Sequence, residues 1–118
     1  MTHHHDLRSP EMHACIRACL ACAQLCTETV THCLLRGGAH AEANHIATLL
    51  SCAEICQISA NAMLRGSHTH ISTCRACSEI CKACTASCET IADDEVLKRC
   101  ADECRKCCES TAAMSRVT

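Results

Sequence analysis

Cysteine recurs in this chain at alternating spacings of three and four residues, and that period suits one kind of backbone: a helix carrying its thiols along a single side. At about 100° per residue, Cys15, Cys19, Cys22, Cys26 and Cys33 fall within an arc of roughly 60°. Cys74, Cys77, Cys81, Cys84 and Cys88 fall within roughly 80° on the same count. Cys52 with Cys56, and Cys100 with Cys104 and Cys107, continue the spacing further along. Several helices, each with a thiol stripe, can bury those stripes only against one another.

Composition agrees. The chain has 118 residues, 16 of them cysteine, and no Phe, Trp or Tyr. Leu, Ile and Val together number nineteen, too few for a conventional close-packed hydrocarbon core at this length. Cysteine must therefore supply much of the interior of what reads as one domain. The formal charge of -2, without a basic block or an aromatic platform, argues against nucleic acid and anionic membrane as partners. Met1 to Pro10 is polar, with no apolar run to serve as a signal-peptide core, and no window is expected to approach a membrane span. A cytoplasmic setting follows as the expectation. Thiols stay reduced there, so a dense cysteine pattern points to metal or redox chemistry more than to disulfides. His3 to His5 read as part of a solvated tail over residues 1–9.

Turn signals divide residues 10–115 into four helices. Ser9 and Pro10 make a start signal, with Glu11 favourable at the positive helix end, and Gly37-Gly38 stops the first helix after Arg36. The second is expected from about Ala39 to Arg65, closed by Gly66. Ser67 or Thr69 caps a third that runs to about Ile91, and Asp93 or Asp94 caps a fourth that runs to about Met114. Connections this short make successive helices antiparallel, so the fold class is all-α: an up-down-up-down four-helix bundle with a cysteine-lined core. Cys15, Cys19, Cys22 and Cys26 share their 4-3-4 spacing with Cys77, Cys81, Cys84 and Cys88, an internal echo of helix one in helix three.

Cysteines four apart stack one turn above the other, so pairs such as Cys22/Cys26 and Cys100/Cys104 can clamp one soft ion. Thiolate softness favours Cu(I), Zn(II) or iron-sulfur clusters. One Cu(I) replacing each thiol proton leaves a buried core neutral, whereas a four-thiolate Zn(II) site keeps two negative charges that burial penalises. With each sulfur bridging two ions and each ion on two sulfurs, capacity approaches one ion per thiol, on the order of 16 per chain.

These motifs resemble the bacterial four-helix-bundle copper storage proteins. The resemblance rests on CIRACLACAQLC at Cys15 to Cys26, SCAEIC at Ser51 to Cys56, CRACSEICKACTASC at Cys74 to Cys88 and CADECRKCC at Cys100 to Cys108, and covers Met12 to Met114. It implies multiple Cu(I) ions stored on cysteine thiolates, protection against copper toxicity, histidine-containing sites near an opening, and assembly as a homotetramer. The polar N-terminus matches the cytosolic branch. Cytosolic relatives can carry histidines in the connection between helices three and four; here Ala92 to Asp94 has none. Copper donor or acceptor proteins are implied as partners.

Two bundle ends compete as the mouth. One gathers Met12, His13, Met63, His68, His70 and Met114; the methionines and His70 continue the stripes, and their weaker hold on Cu(I) suits a relay. The other presents Leu49, Ile91, Val96 and Leu97 as an apolar plug, although His45 continues its stripe and His32, His40 and Asn44 lie near. The methionine end is favoured. The ligand set is thus the sixteen cysteines with His13, His45, His70 and Met63. Within it Cys33 lacks a partner on its own helix and needs a sulfur from another helix or a histidine. Cys108, about 100° round from Cys107, sits on the flank. Leu20, Leu50, Ile58 and Ile80 lie away from the stripes, as flank packing or a subunit surface.

Other classes fit less well. An iron-sulfur carrier would show ferredoxin spacing with Cys-Pro, and a zinc or cadmium thiolate buffer of metallothionein type would lack the helical period. A thiol redox protein would place CxxC at a helix start beside a strand. No general base stands beside an open coordination position, so no enzyme is expected.

Overall fold

The computed structural model describes residues 8 to 116; His3 to His5 and most of the expected tail lie outside that range. Helix α1 spans Pro10–Arg36, α2 Ala43–Leu64, α3 His70–Glu89 and α4 Glu95–Met114. Each helix packs against two neighbours in cyclic order: α1 against α2 and α4, α3 against α2 and α4. That is the up-down-up-down bundle the short connections require.

The ends follow from local chemistry. The Ser9 hydroxyl accepts from the Met12 amide at 3.1 Å, with Pro10 in the first turn. Gly37 then takes a positive φ of 71°, open to glycine at no steric cost. Here the expected start of α2 at Ala39 needs correction. Gly38–Ala41 forms a 3₁₀ turn, and α2 begins only after Glu42. Glu42 is the stronger start because its carboxylate accepts from the amides of Asn44 and His45, both at 3.0 Å, and Asn44 lowers the carboxyl's pKa most.

A Schellman turn closes α2: Ser67 N–H donates to the Ala62 carbonyl at 2.9 Å and Gly66 N–H to Met63 at 3.1 Å. Thr69 precedes α3 without a side-chain cap bond. At the far end α3 stops at Glu89 rather than near Ile91, because the Thr90 and Ile91 amides donate three residues back, to the Ser87 and Cys88 carbonyls at 3.3 Å each, and the last turn tightens. Asp93 adopts φ 59°, a left-handed conformation that Asp tolerates. Asp94 rather than Asp93 caps α4, its Oδ1 accepting from Val96 and Leu97 at 2.9 and 3.2 Å.

Fifteen of the 16 cysteines are buried and Cys108 is half-buried. Threonines enter the same interior by turning their hydroxyls back onto their own helix: Thr29 onto Leu25, Thr85 onto Cys81 and Thr111 onto Cys107. That bond leaves a methyl for packing. Leu49, Met63 and Leu97 are the largest fully buried side chains. Ile80 packs against the core flank, while Leu20, Leu50 and Ile58 stand in solvent.

The expectation that no window approaches a membrane span does not hold either. Both α1 and α2 are long and apolar enough to cross a membrane by length and composition, because hydropathy counts every cysteine as apolar. In the bundle those thiols face each other.

Candidate metal centre

Sulfurs that lie on separate stripes in the sequence meet along the bundle axis. Cys56, Cys77, Cys81 and Cys107 form one group whose sulfurs all lie within 4.8 Å of one another. Cys22, Cys52, Cys56 and Cys81 form the next; then Cys22, Cys26, Cys52 and Cys104; then Cys26, Cys84, Cys100 and Cys104. Each group draws on three helices, and consecutive groups share two sulfurs. The ladder is therefore continuous. Its contacts cross the bundle diagonal where the backbones do not: Cys52 to Cys104 at 3.9 Å and Cys56 to Cys107 at 3.7 Å.

All but one of the remaining cysteines lie along the ladder or beyond its ends. Cys107 donates to Cys19 at 3.7 Å. Cys74 donates to the Met63 sulfur at 4.0 Å, linking the thiols to the methionine end, and Cys15 is buried in the same core cluster. Cys88 is buried beyond Cys84 on α3. Cys108 faces sideways, its sulfur 3.6 Å from the Ser78 hydroxyl, and belongs to none of the four-sulfur groups.

Cys33 finds the histidine it needed. Its sulfur lies 3.5 Å from His45 Nε2, and His45 Nδ1 lies 2.6 Å from the Ser87 hydroxyl. Burial holds His45 below the usual histidine pKa, keeping the neutral, ligating form. Burial, then the charge of Asp94, pushes the Cys33 thiol up to about 11. In the ladder Cys26 is pushed up, first by its bonding to Cys100, while Cys100 is held down, first by Cys104 and then by Cys26. In such a pair one sulfur keeps the shared proton and its partner accepts it, and a cation that binds there replaces that proton.

At the methionine end, Met12, Met63, His68 and His70 line a cavity of about 170 Å³. His70 Nδ1 donates to the Ser67 carbonyl at 2.9 Å, so Nε2 carries the lone pair, buried and without a hydrogen-bond partner. His13 lies half-buried in the first turn of α1, outside the sulfur groups. At the other end Leu49 and Leu97 are fully buried, as a plug would be.

Two features escaped the sequence reading. Ser87 carries no spacing signal, since its role depends on α3 lying beside α2. His32, His40 and Asp94 come from three separate segments, yet both imidazole Nε2 atoms lie 2.8 Å from Asp94 Oδ2. The sequence places His32 and His40 at the same bundle end and offers Asp94 as a cap, but spacing does not bring the carboxylate between the two rings.

The ladder can hold soft metal ions through shared thiolates. Distance alone does not choose the metal, since tetrahedral Zn(II) with bonds near 2.3 Å needs sulfurs about 3.8 Å apart. Charge does. One divalent ion in each of the four groups would leave their ten thiolates two negative charges short of neutral, while one monovalent ion per thiolate cancels them.

Residues 8–116 match the family model for copper storage protein. No curated protein matches the chain. Among solved structures, the Nmul_A1745 protein of Nitrosospira multiformis is 42% identical, with a TM-score of 0.84 over 89% of this chain and 94% of its own. Cu(I)-bound copper storage protein BsCsp3 of Bacillus subtilis is 31% identical, with a TM-score of 0.83 over 89% and 98%. A cytosolic copper storage protein of Streptomyces lividans, solved with five coppers, is 28% identical, with a TM-score of 0.84 over 92% and 94%.

Proposed function

This chain belongs to the copper storage protein family, and from that premise we propose how it holds its cargo. It stores multiple Cu(I) ions on cysteine thiolates inside a four-helix bundle. The carrying observation is the ladder of four-sulfur groups in which neighbours share two sulfurs: a shared thiolate bridges, and bridging is what lets capacity approach one ion per thiol, on the order of 16 per chain.

Cu(I) enters at the methionine end, is handed from Met63 and His70 to Cys74, and advances by ligand exchange, displacing one proton per thiol. His70 Nε2 supports this, because a buried lone pair without a donor has an unmet demand that a cation fills. His13 assists at the same mouth. Cys33 with His45 terminates the run. The protein works without catalysis, in the cytoplasm, as a homotetramer that exchanges copper with donor or acceptor proteins. Sequestration in the buried core keeps Cu(I) from harmful chemistry elsewhere.

A second reading reverses the direction. His45 and Ser87 line an open cavity of about 510 Å³, which would make the Cys33/His45 pair the first stop. Anaerobic titration of the reduced protein with Cu(I) against a chromophoric chelator tests storage, with a break near one ion per thiol expected and a break at one to a few ions refuting it. Stopped-flow loading separates the mouths: slowing by His70→Ala with Met63→Leu supports the methionine end, and slowing by His45→Ala alone overturns it.

A further inference from the structure

His32, His40 and Asp94 make a metal site of different chemistry from the ladder. His32 belongs to the last turns of α1, His40 to the 3₁₀ turn, and Asp94 to the start of α4. Their ligand atoms lie within 4.8 Å of one another, and no sulfur belongs to the group. Asp94 is held for the purpose by its other oxygen. Oδ1 is committed to the amides of Val96 and Leu97, which fixes the carboxylate plane, so Oδ2 faces the histidines with its side chain 3% exposed. The two rings meet edge-on, at 71° with centroids 6.0 Å apart, and both turn Nε2 toward the same oxygen.

That convergence sets the ligand class. Two imidazole nitrogens and one carboxylate oxygen suit a borderline divalent cation such as Zn(II) or Cu(II), whereas Cu(I) prefers the thiolates and thioethers found elsewhere in this fold. In the empty site each imidazole donates its Nε2 proton to Oδ2. A cation would take Nε2, Nε2 and Oδ2 as three ligands once each neutral imidazole carries its single proton on Nδ1 instead of Nε2, leaving the solvent side to water. Arg36 reaches Oδ2 at 3.8 Å and is half-exposed, so it supplies weak positive charge and can swing away. We propose that this cluster binds one divalent transition-metal ion per chain, independently of the Cu(I) ladder, and that the ion ties the Gly37-Gly38 turn to the start of α4 over the leucine plug.

The test keeps the thiols out of play. Full-length protein is first loaded with Cu(I) until its thiols no longer react, then titrated with Zn(II) by calorimetry, and separately with Co(II) by absorption. The expected result is one Zn(II) per chain, with affinity falling about tenfold or more in His32→Gln or His40→Gln, and a Co(II) spectrum without an intense thiolate charge-transfer band. No binding, binding that persists in the His32→Gln/His40→Gln double variant as it would if His3 to His5 held the ion, or a thiolate band overturns the proposal. Should the variants fail to fold, histidine NMR of the unmodified protein decides. Zn(II) must shift the His32 and His40 resonances, and shifts confined to other histidines refute the site.

Discussion

Cys104 and Cys108 lie one turn apart on α4, and the ladder assigns them opposite weight. The Cys104 sulfur lies 3.7, 3.8 and 3.9 Å from those of Cys26, Cys22 and Cys52, and it belongs to two consecutive four-sulfur groups. A bridging thiolate serves two ions, so Cys104→Ser removes one ligand from each of two. Capacity should fall by about one to two ions per chain, depending on whether Cys84 or Cys52 re-satisfies one of them. The apo fold should survive. A buried hydroxyl without a partner costs about 1–3 kcal/mol, and a serine at 104 can turn back onto the Cys100 carbonyl as Thr111 does onto Cys107 at 2.7 Å. Cys108 is half-buried and meets Ser78 rather than a sulfur group, so Cys108→Ser should cost less than about one ion. Both are measured by anaerobic Cu(I) titration against a chromophoric chelator, with circular dichroism as the check on folding. Equal losses in the two variants, or no loss from Cys104→Ser, would refute a store built on shared axial thiolates.

Loading depends on pH with a definite sign. Each ion displaces a thiol proton, so below the thiol pKa, which for Cys33 is about 11, apparent affinity should weaken about tenfold per ion for every unit the pH falls; a chelator competition flat between about pH 6 and 8 would contradict this. Ser87→Ala frees the His45 ring and should leave the ladder full while weakening the ion on Cys33 and His45 by about 10–100-fold, seen as one ion per chain becoming easy to strip; unchanged stripping would mean the 2.6 Å bond does not orient the ring. Asp94→Ala should cost about 0.5–2 kcal/mol from the lost α4 cap alone. Hydrogen bonding to His32 first, then His40, holds the Asp94 carboxyl below the usual range, so its contribution is complete above the ordinary carboxylate pKa near 4 and is lost as pH falls through the depressed folded value. The variant should therefore show a flatter acid-side melting curve, and an unchanged slope would count against the linkage.

Much of this was legible because helical period and thiol spacing report the same geometry. The stripes of Cys15 to Cys33 and Cys74 to Cys88 both lie inward, and the glycine and proline signals set the ends of α1 and the close of α2. Misplaced boundaries came from competition among caps. Ala39 follows the glycine stop, but Glu42 has the carboxylate that two amides need, and Asp94 outcompetes Asp93 because its two oxygens satisfy helix and histidines at once. Spacing within one helix says nothing about which residue of another helix lies opposite. Hence the need of Cys33 for a partner was visible while Ser87 behind His45 was not, and the three segments that build the His32/His40/Asp94 cluster gave only scattered hints.

The absence of aromatic residues then takes on a mechanical meaning. A core of thiols, alanines and back-bonded threonines offers each helix little area to bury, and large fully buried side chains such as Met63 and Leu97 lie toward the ends rather than along the middle. A wide aromatic there would push the helices apart and break sulfur contacts that now lie at 3.6 to 4.0 Å. Small side chains keep the four stripes close enough for sulfurs to meet across the diagonal, and the cohesion given up is restored by the cargo. Because every four-sulfur group spans three helices, an ion held between sulfurs of different helices joins elements that hydrocarbon packing holds only weakly. Ions that bind the folded bundle and not the unfolded chain add to its stability by mass action. Storage and folding are thus coupled through the same residues: the feature that makes the empty core thin is the one that lets the filled core hold.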